Sequence, residues 1–390
     1  MTNVYIVAAK RTPIGSFGGV LAGVPATELG ATAVKGVLDS IGFDPAAVDE
    51  LYFGSVVQAN LGQAPATQVA LQAGLPPSVP TTLVNKVCAS GMKAVMLAAG
   101  SIASGDNSAV VAGGMENMSQ IPFYLEKARY GYGYGNGTLI DGLAKDGLTD
   151  VYQQKAMGCF ADATAEKYNL TREAQDQFAI NSYKAVAEST GHFAKEIVPV
   201  EVRDRKGNVT LIAEDEEFKR VNFDKIPTLK PVFTPDGTVT AANASSINDG
   251  AAALLLVSAE TIKAGNLTPL ARVVSYADAA REPEWFTTAP VLAAKKALSK
   301  AGLQVEDMDY FEVNEAFAAV PMAFAQLLDI PAGKINIHGG AVALGHPLGA
   351  SGARIIVTLL NILASQNARR GMAAICNGGG GASAIIVERV

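Results

Sequence analysis

The chain is poor in the residues that carry most redox and metal chemistry. Its 390 residues include three cysteines, three histidines and one tryptophan. Cys88, Cys159 and Cys376 are odd in number, far apart and without a Cys-x-x-Cys pair, which argues against a disulfide framework and a cysteine-built metal site. Charge is scarce too. Only 17% of residues are Asp, Glu, Lys or Arg and the net charge is −6, so neither nucleic acid nor an anionic membrane surface is expected as a partner. No apolar run approaches the roughly 20 residues of a membrane span. The longest, GAAALLLVSA at 250–259, reads as a buried strand. The first residues already run into a strand-like VYIVAA at 4–9, and the last three, ERV, are not a peroxisomal signal. The expectation is a cytoplasmic protein without a leader.

What the chain does have is buried mass and repetition. Hydrophobic residues make up 49%, enough for two or three domains and for subunit interfaces as well as cores. SIGFDPAAVDELYFG at 40–54 recurs as KAGLQVEDMDYFEVN at 300–314, an offset of 260 residues. CASGMKAVMLAAGSIASGD from Cys88 recurs as GASGARIIVTLLNILASQN from Gly349, with the shared Ala-Ser-Gly offset by 261. The second copy closes with a strand, a glycine turn and a strand in AAICNGGGGASAIIVERV. In the first copy the strand AVVAGGMEN at 109–117 meets its partner NDGAAALLLVSAE only at 248–260. The segment between them is far longer than a loop and is expected to carry recognition. This predicts a first half of 1–118 plus 248–268, an inserted domain of 119–247, and a second half of 269–390. Strands alternating with helices predict α/β halves with mostly parallel sheets. Pseudo-twofold packing of the halves would bring matched turns together at the carboxyl ends of strands.

The chemistry-bearing residues fall on those turns. Cys88 follows the strand-like TTLVNKV and precedes a helix expected from residue 90 to 103. There, free amide groups and the helix dipole favour a thiolate and hence a nucleophile, where an ordinary cysteine would be filler. The matching turn, GGAVALGHPLGASGARI at 339–355, carries His346 between Gly345 and Pro347, placed to act as a base facing Cys88. His338 and His192 read as structural or exposed. Cys376 sits where a strand meets the four glycines 378–381, whose amides can serve as oxyanion donors; read blandly, it is a buried strand residue before a tight turn. Asn314, in EVNEAFAAV, is either a helix cap or a polar group holding a water or an oxyanion.

VCASGMKA around Cys88, NEAFA from Asn314, GGAVALGHPLGASGAR around His346 and CNGGGGASA from Cys376 together resemble the thiolase family, over essentially the whole chain. TVTAANASSINDGAAA at 238–253 is similar too. The resemblance implies a five-layered αβαβα fold of duplicated α/β/α halves with an inserted loop domain. It is to short-chain members, which implies reversible condensation of two acetyl-CoA to acetoacetyl-CoA and CoA, with CoA as substrate and no tightly bound cofactor. Cys88, activated by His346, would carry the acetyl group. Cys376 would take a proton from the methyl of the second acetyl-CoA. His346 with an Asn314-held water would form one oxyanion hole, and the amides of Cys88 and Gly378 the other.

The same resemblance assigns CoA contacts to Arg220, Lys225 and Ser245, and an acyl pocket to Met157, Leu148 and Phe286. Ala156 stands where short-chain relatives often carry His, and Phe286 where many bacterial members carry Met. Tyr183, Ala241, Ala242, Ala244 and Val342 coincide with a potassium site of some relatives. The loop GYGYGNG at 131–137 lacks a nucleotide-loop context and is expected to serve assembly of a homotetramer. A decarboxylating ketoacyl synthase would share the duplication but not the CNGGGG setting of Cys376. A non-catalytic carrier would not be expected to keep all four catalytic positions.

Overall fold

In the computed structural model, which describes residues 3–390, nine strands line up in one sheet path. In chain order they are β1 (Val4–Arg11), β2 (Glu50–Gly54), β3 (Thr81–Val84), β4 (Ala109–Asn117), β5 (Asn248–Ser258), β6 (Ala271–Ala280), β7 (Tyr310–Val313), β8 (Arg370–Asn377) and β9 (Gly381–Arg389). Their spatial order is β7-β8-β9-β6-β1-β5-β4-β2-β3, and the short Gly15–Ser16 strand pairs with β5 off that path. The sequence repeat is visible in the pairing. β2 runs parallel to β4 and β3, as β7 runs parallel to β8 and to an isolated bridge at Ile335. The other five pairings along the path, β8-β9, β9-β6, β6-β1, β1-β5 and β5-β4, are antiparallel, so the expectation of mostly parallel sheets is corrected. The strand that closes each half returns beside its neighbour through a turn or an inserted segment, not through a crossover helix. Along the sheet path the halves join where Tyr5 and Ile6 of β1 pair with Arg272 and Ala271 of β6.

Four helices complete the layers: α1 (Ala26–Ile41), α2 (Ser90–Ser104), α3 (Ala289–Ala301) and α4 (Leu348–Ser365). The outer helices α1 and α3 both end at a left-handed glycine, Gly42 (φ 62°) and Gly302 (φ 66°), which accounts for the repeated glycine in the sequence. Side-chain alternation along the strands sorts residues between layers. On β5, Ala252, Leu254 and Leu256 join Met92, Val95 and Ala99 of α2 and Ile356 and Leu360 of α4 in a central core. Ala373 and Ile375 of β8 close that core from the other side. The alternate β5 residues Ala253, Leu255 and Val257 pack on α1, and Met372 and Ala374 of β8 pack on α3. The order of layers is thus helix, sheet, paired helices, sheet, helix, as the resemblance implied. All eleven residues of β5 are buried, which explains its unbroken apolar run.

The expectation that nothing in the chain matches a membrane span needs correction. By length and composition alone two helical segments qualify, Val87–Ser104 and Leu348–Ser365, with mean hydropathies of 1.4 and 1.5. Their apolarity has another cause: they are the central helix pair, and Leu348–Ser365 is 83% buried inside the protein. A helix flanked by two sheets has almost no polar face left to show.

The first turns of α2 and α4 cross in near backbone contact. A Cβ on Gly91 would come within 2.8 Å of the Gly349 carbonyl oxygen, and one on Gly349 within 2.4 Å of the Met115 carbonyl oxygen. Glycine is therefore required at the crossing, and the crossing brings the turns bearing Cys88 and His346 to one place.

Residues 119–247 contribute two small antiparallel ribbons, Phe123–Tyr124 with Ile140–Asp141 and Val200–Arg203 with Val209–Ile212. They also contribute the helices Met157–Lys167 and Arg172–Glu188. A buried guanidinium ties this segment to β1. Arg11 Nε donates to Glu196 at 2.7 Å, and its Nη1 and Nη2 donate to the two oxygens of Asp215 at 2.7 and 2.8 Å. Burial opposes the charge, but the two carboxylates outweigh it and raise the Arg11 pKa.

Candidate active site

Cys88 lies in a tight turn between β3 and α2 rather than inside the helix. Ala89 N–H donates to Lys86 O at 3.1 Å and Ser90 N–H to Val87 O at 3.0 Å, with Val87 at a left-handed φ of 48°. Ser90 Oγ closes the turn by accepting from Lys86 N–H at 2.8 Å and donating to Val87 O at 2.6 Å. The half-buried thiol stands at the wall of a cavity of about 630 Å³, to which His346 and Gly378 also contribute.

The expectation of a ready-made thiolate is not met. Burial pushes the Cys88 thiol up to about 12, although hydrogen bonds from the Gly378 and Cys88 amides pull it down, and the Glu116 carboxylate adds to the rise. Loss of solvation outweighs two amide dipoles, so the resting group is a neutral thiol. The same two amides are the donors assigned to an oxyanion hole, and they converge on the reacting sulfur.

His346 is the complement. Its side chain is buried, and burial, then the positive charge of Arg354, lowers its pKa to about 3. The ring is therefore neutral, and its hydrogen bonds identify the tautomer. Ser351 Oγ donates to Pro347 O at 2.9 Å and lies 2.6 Å from His346 Nδ1. A hydroxyl has one proton, so Ser351 accepts from Nδ1–H, and Nε2, which has no protein partner, keeps its lone pair free. Ser351 was quoted in the sequence motif without a role. Its signal is the spacing, a serine five residues beyond the histidine in the first turn of α4. A Ser351→Ala variant is expected to fold, to bind substrate with unchanged KM and to lose kcat by about 10- to 100-fold. That loss corresponds to the roughly 1–3 kcal/mol of a buried donor left unpaired. Steady-state kinetics measure it.

Cys376 ends β8 at full burial, paired in register with Ala382. Its thiol pKa is raised by burial first and by ionisation of Cys88 second, so the two sulfurs are electrostatic neighbours and a thiolate on one opposes a thiolate on the other. Asn314 is not a helix cap, since the next helix begins at Ala319. It is fully buried behind the histidine, with Nδ2 3.5 Å from His346 Nδ1 and Oδ1 without a protein partner. Two donors at that distance form no bond, so the amide is held by packing and stays free for another group.

The cavity is chiefly apolar. Met157, Leu148 and Phe286 line it as expected, Phe286 in an edge-to-face contact with Phe160 (6.4 Å, 87°). Phe233 and Phe317, not singled out from sequence, line it as a second edge-to-face pair (6.0 Å, 84°). Ser245 and Ala156 also border it. Ser245 is engaged, its Oγ donating to Ala316 O at 2.9 Å. Arg220 reaches the rim, half-exposed and paired with Glu216 at 2.7 Å. Lys225 is exposed in the Phe223–Thr228 turn and does not border the cavity.

Glu116 went unnoticed in the sequence. At the end of β4 its carboxylate accepts from Val56 N–H (2.9 Å), Val57 N–H (3.1 Å) and Gly349 N–H (2.8 Å), joining a loop of the first half to the start of α4. Burial raises its pKa to about 7 against those three bonds.

Of the residues named for potassium, Tyr183 and Val342 share one buried cluster, while Ala241 and Ala244 line the cavity and Ala242 is buried beside them. Burial raises the Tyr183 pKa, and the nearby carboxylates of Glu217 and Glu315 add to it. Glu315 in turn accepts from Val342 N–H at 3.1 Å and Ser182 Oγ at 2.8 Å. His192 and His338 carry no part of the site. Their rings stack at 4.4 Å, and burial lowers the His338 pKa to about 4.

A neutral thiol and a neutral histidine with a free Nε2 on the wall of one apolar cavity, converging amides and a second buried thiol define a cysteine-dependent acyl-transferring enzyme. Comparisons with known proteins agree. A model described as "Thiolase, N-terminal domain" matches residues 4–260, and one described as "Thiolase, C-terminal domain" matches residues 267–389. A Schizosaccharomyces pombe protein named acetyl-CoA acetyltransferase is 53% identical over 392 aligned residues, covering 100% of this chain and 99% of its own. A Gibberella zeae protein named "Acetyl-CoA acetyltransferase ERG10, cytosolic" is 50% identical, covering 99% of this chain and 98% of its own. The crystal structure of Acat5 thiolase from Ascaris suum in complex with coenzyme A matches at a TM-score of 0.95 and 44% identity, covering 100% of each chain. The chain belongs to the thiolase family.

Proposed function

We propose that this protein is an acetyl-CoA C-acetyltransferase, interconverting two acetyl-CoA with acetoacetyl-CoA and CoA through an acetyl-Cys88 intermediate. The observation that carries the reading is the convergence on one apolar cavity of Cys88, the Gly378 amide and a neutral His346 with its Nε2 free. His346 takes the Cys88 proton as sulfur attacks the thioester. The Cys88 and Gly378 amides then pass from the sulfur to the developing oxyanion. Transfer between two thioesters is close to isoenergetic, which suits a reversible enzyme. CoA leaves as the thiol, with the proton that His346 took from Cys88. Cys376 then gives its own proton to His346 and, as the thiolate, removes a proton from the methyl of the second acetyl-CoA. The carbanion attacks acetyl-Cys88, whose sulfur departs and recovers a proton from His346. Asn314, whose Oδ1 has no protein partner, would hold the water that completes the other oxyanion hole with His346. Arg220 at the rim is the contact for the nucleotide end of CoA, and Ser245, Met157, Leu148 and Phe286 face its acyl-bearing arm. Lys225 would act only from outside the cavity wall.

The test is thiolysis by the purified protein of 3-ketoacyl-CoA substrates of increasing chain length. Acetoacetyl-CoA is expected to be cleaved far faster than long-chain substrates, because the bulky side chains of Met157, Phe233, Phe286 and Phe317 wall the cavity. Comparable rates on long chains would sink the short-chain reading.

We further propose a potassium ion bound by the carbonyl groups of Ala241, Ala242, Ala244 and Val342 with the Tyr183 hydroxyl, a hard oxygen donor set beside the carboxylates of Glu217 and Glu315. The ion would supply fixed positive charge and hold the 240–246 loop, which carries Ser245. Activity and melting temperature are expected to be higher in potassium than in sodium chloride at equal ionic strength; equal values in both would remove the proposal. A cytosolic location is supported by the relative whose name includes that word. A homotetramer is supported by the exposed Phe123, Leu125, Tyr130, Tyr134 and Leu139 around the 131–137 loop.

A further inference from the structure

The hydrogen bonds within the Lys86–Ser90 turn set its shape, but they do not set where the turn lies relative to Cys376 in the other half. Besides the Cys88 thiol, which accepts from the Gly378 amide, one side chain of the turn makes that crossing. Lys86 Nζ donates to Asp278 Oδ1 at 2.7 Å, to Ser383 Oγ at 2.7 Å and to Ala382 O at 3.1 Å, using all three protons of the ammonium. Asp278 lies on β6, and Ala382 and Ser383 lie on β9. Ala382 is the residue paired with Cys376 across β8 and β9, and Ser383 is paired with Ile375. The anchor is braced twice more: Lys93, in the first turn of α2, donates to Asp278 Oδ2 at 2.7 Å, and Ser383 Oγ donates to Asp278 Oδ1 at 2.6 Å.

We propose that Lys86 is a positioning residue that sets the separation of the two reacting cysteines, tying the Cys88 turn to the strand register of Cys376 through Asp278, Ala382 and Ser383. Cys88 is two residues from Lys86, and Cys376 is one strand pairing from Ala382. Among the described residues no other side chain of the 86–90 turn donates to the second half; the Cys88 thiol accepts there, from the Gly378 amide. Burial alone would raise the Asp278 pKa, but the hydrogen bonds from Lys86, Lys93 and Ser383 hold it down at about 2, so its carboxylate stays ionised at any working pH. The inference rests on the two-cysteine reaction proposed above. Acetyl transfer to Cys88 needs only the thiol, His346 and the Cys88 and Gly378 amides, and the hydrogen bond from Gly378 keeps the thiol among them without Lys86. The carbon–carbon step needs Cys376 and acetyl-Cys88 in register, and a misplacement on the order of 1 Å costs about 100-fold.

The experiment separates the two steps in wild type, Lys86→Met and Ser383→Ala. Acetyl transfer is read as exchange of labelled CoA into acetyl-CoA, the carbon–carbon step as acetoacetyl-CoA thiolysis, and folding as the melting temperature. Lys86→Met is expected to keep label exchange and KM near wild type while the kcat for thiolysis falls by about 100-fold. Ser383→Ala, which removes one bond and no charge, shows the same selectivity at smaller amplitude, and carries the test if Lys86→Met does not fold. Equal losses in exchange and thiolysis, or no loss in either, overturn the proposal. A wild type that performs neither reaction overturns instead the reading on which it rests.

Discussion

Replacing Cys88 by serine lowers acetoacetyl-CoA thiolysis by about four orders of magnitude or more, the scale on which removal of a nucleophile acts. The reason lies in the protonation states of the site. A thiol pushed up to about 12 and an imidazole lowered to about 3 exchange a proton only as the sulfur attacks. A serine hydroxyl, far less acidic than a thiol, asks more of the same weak base. The acyl-serine formed would be an oxygen ester, lower in energy than the thioester it came from, and the second step would stall. Intact-mass spectrometry adds a direct check: wild type mixed with acetyl-CoA gains one acetyl group and Cys88→Ser does not. A serine variant with rates near wild type would end the nucleophile assignment.

A Cys376→Ser variant fails differently. Its Cys88 still accepts an acetyl group, because the turn, the His346 lone pair and the two amides are untouched. Proton abstraction from the second acetyl-CoA is lost, and thiolysis and condensation fall by about 10³-fold, within the range of a general acid or base. The signature is an acetyl-enzyme that accumulates and does not turn over. A variant that neither acetylates nor condenses would instead place Cys376 in the first step. Cys88→Ser and Cys376→Ser thus split the reaction at the acetyl-enzyme, the same point at which Lys86→Met is expected to leave its mark.

Much of this molecule was legible in its sequence because duplication repeats the signal. The paired SIGFD and KAGL glycines mark the ends of α1 and α3, and the doubled Ala-Ser-Gly marks the starts of α2 and α4. The turns that carry Cys88 and His346 could therefore be matched by offset alone. Asn314 was half legible: its neighbourhood was, but its role as a cap was wrong, because four residues of irregular chain separate the end of β7 at Val313 and Asn314 itself from the helix at Ala319. Glu116 and Lys86 were not legible. Their partners lie 59 to 233 residues away for Glu116 and 192 to 297 for Lys86, and no local pattern announces a bond of that span.

The sequence by itself determined the elements, their order, the duplication and which side chains are candidates for the chemistry, because periodicity, turn residues and motif spacing are local properties of the chain. Tertiary structure alone decided the charge on each of those side chains and the atom each one presents. Cys88 is a thiol despite its place before a helix, since burial by residues from both halves outweighs two nearby amides. His346 offers Nε2 because Ser351, committed to Pro347 O, can only accept from Nδ1. Solvation and hydrogen-bond direction are sums over everything that surrounds a group, and that surrounding exists only once the two halves have closed around the central helices.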